Sequence, residues 1–155
     1  MVVKLNESVQ LDAPPDGVWK LLRDTPRLAG LLPGVESVTP LKNDAGEAYA
    51  AKVSDKIGPF KITMNIEVRI GEMQEPSLMK VLIGGADGDR QNRVTGSMHV
   101  ALSPASSGTQ MNFEASVEVL GKLASLGAVP IRRRTMQLFA EFARNIQGQF
   151  TKERP

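Results

Sequence analysis

Between Glu36 and Val119 apolar residues recur at every second position in a series of runs, and at Gly121 the spacing changes to that of a helix. This change of period constrains the chain more than any single motif. A period of two marks a strand with one dry face, and several such strands in a row suggest an antiparallel meander. Such a sheet leaves one face to water and needs a cover for the other, and the helical tail supplies it.

The elements are read as follows. Val3, Leu5, Val9 and Leu11 alternate with polar residues in a first strand, which Asp12 to Pro15 end. Pro-Pro-Asp-Gly-Val-Trp opens a short helix with Val18, Leu21 and Leu22 inside. Thr25-Pro26 begins a second, with Thr25 as cap and Leu28, Leu31 and Leu32 following. Strands are expected at 36–41 and 47–56 around the KNDAG loop, then from Phe60 to Ile70, and from Met79 to Ile83 before GGADGD breaks the chain. Two more run over Val94–Leu102 and Met111–Val119. Leu123 and Leu126 belong to a short turn at 121–127, and a long helix runs from about 130 to 150, because Pro130 should break or kink it. The expected class is α+β, with seven strands, two short helices after the first and a long C-terminal helix. A curled sheet around one helix leaves room for a hollow between them.

Composition narrows the chemistry. The 155 residues suit one domain, 1–155, able to bury roughly 70% of its unfolded surface. With no cysteine, disulfides, thiolate metal sites and cysteine nucleophiles are excluded, and a cytoplasmic location is expected. The N-terminus has no signal-peptide pattern, and no apolar run reaches the roughly 18 residues a membrane span needs. The net charge of +2 hides an asymmetry: residues 121–155 carry seven Lys/Arg against two Glu, whereas the rest carries twelve against fifteen acids.

No convincing catalytic set emerges. His99, the sole histidine, falls on the polar phase of its strand. Asp87 and Asp89 lack the further ligands of a calcium loop, so no metal site and no cofactor is expected. Glu114 and Glu118 lie roughly 13 Å apart along their strand, too far for a carboxylate pair. Tyr49, on a dry phase, either packs in the core or offers a hydroxyl to a bound molecule. Met64, Met98, Met111 and Met136 fall on inward phases, where methionine fills irregular space or lines a pocket that adapts to a chain-like ligand. Burial at about 0.8 kcal/mol per methylene would supply affinity without exact polar contacts.

Arg132, Arg133 and Arg134 spread over about 200° of a helix, so they cannot all face inward. They are either a solvated helix start or a contact for anionic lipid headgroups or an acidic partner surface. Nucleic acid is a poorer fit and is not expected as a partner, since the cluster is short, has no aromatic platform and sits on an otherwise acidic domain.

The segments LDAPPDGVWKLLRDTPRLAGLLPGVESV (11–38), KIGPFKITM (56–64) and LGKLASLGAVPI (120–131) resemble, in this order, the CoxG family of carbon monoxide dehydrogenase subunits, within the START-like helix-grip (SRPBCC) superfamily. That superfamily also holds lipid carriers, the birch-pollen allergen type and polyketide cyclases. The resemblance implies a non-catalytic carrier of a quinone- or lipid-like molecule that serves a molybdenum-containing dehydrogenase at the inner face of the membrane; a cyclase- or hydrolase-like enzyme is the alternative. Longer members carry a C-terminal extension implicated in membrane attachment, a feature that this sequence, ending at FTKERP, does not match.

The implied ligand sits between sheet and long helix. Its expected lining is Tyr49, Ile62, Met64, Met98, Val100, Met111, Phe113, Met136 and Phe139. Leu28, Leu31, Leu32 and Pro33 are placed beside Leu123 and Leu126 of the GKLASLG turn as an apolar rim, or else they form an ordinary buried turn. Gly34, Gly121 and Gly127 would let that rim move.

Overall fold

The computed structural model describes residues 1–42, 46–106 and 108–150; the tip of the KNDAG loop and the residues after Phe150 lie outside them. Strands β1 (Val2–Leu11), β2 (Val35–Leu41), β3 (Ala48–Ile57), β4 (Phe60–Gln74), β5 (Leu78–Asp87), β6 (Asn92–Ala105) and β7 (Gly108–Gly121) form one antiparallel sheet in the order β1-β7-β6-β5-β4-β3-β2. Helices α1 (Pro15–Arg23) and α2 (Thr25–Ala29) follow β1. A 3-10 turn at Lys122–Leu126 leads into α3 (Ala128–Gln149). The expected helix-grip arrangement is the one observed.

The strand registers carry the dry phase across the sheet, with irregularities between Val35 and Ser37 in β2 and between Ile70 and Met73 in β4. Leu5 of β1 stands opposite Ala115, which pairs with Met98, then Val81, then Ile70. A slip of one residue anywhere would turn this row to water, which is why the pattern specifies the pairing.

Two buried clusters hold α3 to the sheet. Around Leu21, Leu22, Met111, Phe113 and Ile146, α1 and the C-terminal half of α3 meet β6 and β7, and the Phe113 ring meets Phe139 edge-on at 5.4 Å. Around Val3, Ile62, Met64, Val119, Leu123 and Ile131 the 3-10 turn and the start of α3 close the other end.

Several local expectations are corrected. Asp24, not Thr25, caps α2: its carboxylate accepts from the Arg27 amide, while Thr25 is buried. Both residue types cap helices, and the one placed to reach the third helical amide wins. Strand β5 does not stop at GGADGD but runs through Gly84 and Gly85 to Asp87. A β-carbon at Gly85 would run into the Asn65 carbonyl oxygen, so glycine there permits close approach of β4 and is no break. Helix α3 begins at Ala128, with Pro130 inside its first turn, where a missing N–H costs nothing.

Candidate ligand-binding site

Between the two clusters the concave face changes character. Leu5, Ile66, Val68, Ile83, Val94, Met98, Ala115 and Val117 all belong to the inward phase, yet none is fully buried; Val68, Ile83 and Met98 pack against the first cluster, Ile66, Val94 and Val117 against the second, and Leu5 and Ala115 lie where the two meet. Where they cross the sheet, Gly85, Gly96 and Ala115 contribute little or no side chain. Phe139 and Phe142 of α3 pack against one end of this band, and Leu126 against the other. In a solid core residues of this phase would be sealed. Here an apolar belt stays partly accessible between two closed ends, the form that a hydrophobic ligand site takes.

The residues expected to line the site divide between walls and belt. Ile62, Met64, Val100, Met111, Phe113 and Leu123 are buried in the clusters. Met98, Phe139 and Leu126 are partly buried beside the belt. Met136 is corrected outright. It is 39% exposed, because it lies five positions after buried Ile131, about 140° around the helix.

The expected rim does not assemble as one feature. Leu28 and Leu31 pack on the Phe113 cluster, the Leu31 carbonyl accepts from Asn145 Nδ2 at 2.8 Å, and Arg27 donates to Gln149 at 2.7 Å. The GKLASLG turn packs beside Ile131. Fourteen residues, about 21 Å of helix, separate Ile131 from Asn145. The two turns therefore close opposite ends of α3, with partly buried Leu32 and Pro33 continuing from the leucine turn towards β2. Gly34 and Gly121 are not hinges either. Both have positive φ, and β-carbons there would strike the Ser54 and Gln91 carbonyl oxygens, so each is a point of tight contact.

The KIGPF hairpin does meet the turn, since Gly58 lies against the Leu126 side chain. Nearby, hydrogen bonds from both the Asn92 amide and side chain hold the Asp87 carboxyl below its ordinary pKa, and Asn92 Oδ1 accepts from the Leu123 amide at 2.7 Å.

Charged groups border the site without entering its apolar belt. Arg134 turns from its neighbours towards Asp55 of β3, with Nη2 and Nε at 2.7 and 3.0 Å from the carboxylate oxygens. Hydrogen bonding to Asp55 raises the guanidinium's pKa further despite some burial. The pair ties α3 to β3, so only Arg132 and Arg133 stay exposed, beside Val129 (67% exposed) and Met136. Asp55 escaped the sequence reading, although a carboxylate between Val53 and Ile57 on the dry phase was the available signal.

The Tyr49 hydroxyl is also engaged, donating to Glu47 Oε1 at 2.6 Å, while Arg23 pairs with the other oxygen at 2.9 Å. Burial opposes ionisation of Glu47, but Tyr49 and Arg23 outweigh it and hold the carboxyl below its usual value. The same bond to Glu47, helped by burial, pushes the phenol up. His99 is exposed on β6.

One buried polar atom stands apart. Trp19, 4% exposed in the Phe113 cluster, has an indole N–H with no acceptor among the described residues. No group of three His, Asp or Glu residues among them is arranged to hold a metal, and no helix among them is long and apolar enough to cross a membrane.

The model of the carbon monoxide dehydrogenase CoxG family matches residues 8–151. No curated protein is significantly similar to the chain. Among solved structures, a conserved protein from Geobacillus kaustophilus is 24% identical, with a TM-score of 0.84 over 96% of this chain and 95% of that one. A protein from Rhizobium leguminosarum is 14% identical, with a TM-score of 0.73 over 99% and 97% of the two chains. Ara h 8.0201 is 16% identical, with a TM-score of 0.68 over 97% and 98%. At these identities the likeness is one of fold.

Proposed function

The chain belongs to the CoxG family of carbon monoxide dehydrogenase subunits, and from that premise we propose that it is a non-catalytic carrier of a quinone- or lipid-like molecule, acting as accessory to a molybdenum-containing dehydrogenase of the CO dehydrogenase type. The observation that carries this reading is the accessible apolar belt on the concave face, opposite α3. A cyclase- or hydrolase-like enzyme would need a free polar group aimed at that belt. Tyr49 is held by Glu47 and Asp55 by Arg134, so neither supports it.

A ligand that reaches from the belt into the Phe113 cluster would meet the Trp19 indole N–H, which favours one bearing an acceptor. A buried N–H left unpaired costs about 1–3 kcal/mol, and a carbonyl oxygen on an apolar body would relieve that cost. Decylubiquinone titrated into the protein is expected to quench the fluorescence of this sole tryptophan saturably. By calorimetry, Trp19→Phe is expected to weaken the quinone roughly tenfold while binding a plain fatty chain as before. Absence of saturable quinone binding to the unaltered protein would refute the carrier reading.

The start of α3 supplies the second part of the reading, a peripheral contact with anionic membrane at the inner face. Exposed Val129 and Met136 flank Arg132 and Arg133, and each cation contributes about 1 kcal/mol near such a surface. Replacing both arginines by glutamine should therefore lower partitioning onto phosphatidylserine vesicles roughly thirtyfold, with little effect on phosphatidylcholine vesicles. Equal partitioning of both forms in a sedimentation assay would remove this contact.

A further inference from the structure

The opposite face of the sheet carries a cleft that the carrier reading leaves unused. It is open, about 650 Å³ in volume, and crosses the strands from β2 to β6. Four strand spacings make that span about 19 Å. Two rows of the register build it. In one, Lys52 pairs with Asn65, Asn65 with Ala86 and Ala86 with Arg93; in the other, Ala50 pairs with Glu67 and Glu67 with Gly84. All have the phase opposite to the belt. Ala50, Gly84 and Ala86 are so small that the floor lies near the level of the backbone.

Its charge is uneven. Glu67 is paired with Arg69 at 2.9 Å, and Lys52 makes only a long, half-exposed contact with Glu36 at 3.6 Å. Arg90 and Arg93 are both exposed lining residues, and the guanidinium of neither makes a hydrogen bond or ion pair with a described residue. Arg90 moreover holds a backbone φ of 56° in the turn between β5 and β6, closed by its amide on the Asp87 carbonyl. Left-handed backbone favours glycine, so the arginine is not there to ease the turn.

We infer that this cleft binds a small organic phosphate, its dianionic group held by Arg90 and Arg93, and its flat body lying on the Ala50–Gly84–Ala86 floor towards Lys52, three strands away. Two free guanidiniums offer paired donors that match phosphate oxygens, and two cations together favour a doubly charged group over a single carboxylate. The volume is that of a small-molecule site. Ile66 and Gly85 line the cleft as well as the belt, but the cations belong to the cleft alone, so the failure of this inference would leave the carrier reading standing.

Titration of the 15N-labelled protein with AMP, followed by NMR at fixed ionic strength, tests the inference. Shifts are expected at Lys52, Ala86 and Arg93, and inorganic phosphate should act at the same residues more weakly. Arg93→Gln is expected to weaken AMP roughly tenfold. Arg90→Gly should weaken it similarly while keeping or raising the melting temperature, because glycine accepts the positive φ. Shifts centred on Arg132 and Arg133, unchanged affinity in both variants, or equal affinity for AMP and phosphate would each overturn it.

Discussion

Ala115→Phe is expected to weaken quinone binding on the order of a hundredfold while leaving the protein folded and no less stable. Ala115 is in mid-belt, opposite Leu5 on one side and Met98 on the other, and is only partly buried. A phenyl group added there occupies space the ligand needs; displacing about four methylenes of ligand forfeits roughly 3 kcal/mol of apolar burial. The stability readout is as informative as the affinity. In a close-packed interior the same ring would have to push its neighbours aside, at a cost of about 1–3 kcal/mol. A melting temperature that falls together with binding would mean that the interior is solid.

The second large effect concerns the wall of the site. Phe113→Ala should lower the unfolding free energy by about 3–5 kcal/mol, read as a lower urea midpoint at unchanged slope. Phe113 is 1% exposed, and its ring contacts Phe139 at 5.4 Å and Phe142 at 6.0 Å, so it joins β7 to α3 where the closed end begins. Natural domains hold about 5–15 kcal/mol in all, which makes this loss a large share. Phe113→Leu keeps most of the apolar volume and is expected to cost less than half as much. A small change for Phe113→Ala would mean that this cluster does not carry the attachment of α3.

What was legible in the sequence was whatever depends on near neighbours. Alternation along β4 or β7 needs only consecutive residues, and the seven strands and three helices emerged from it. Limits of elements were legible less well. Asp24 and Thr25 are both competent caps, GGAD resembles a break until β4 is seen beside it, and Pro130 reads as an obstacle until the helix is seen to start at Ala128. Met136 was misplaced for the same reason: the phase of a helix depends on where its buried stripe begins.

Local pattern by itself determined the class of fold and the dry face of each strand, because side-chain direction follows from backbone period, and composition alone removed cysteine chemistry. Tertiary structure alone decided that the leucine turn and the GKLASLG turn close opposite ends of α3. It also decided that Arg134 reaches Asp55 across 79 positions of sequence, and that Lys52, Arg90 and Arg93 meet around one cleft. These relations are distances between distant parts of the chain, fixed by strand order and by the seating of α3, and no local period encodes them.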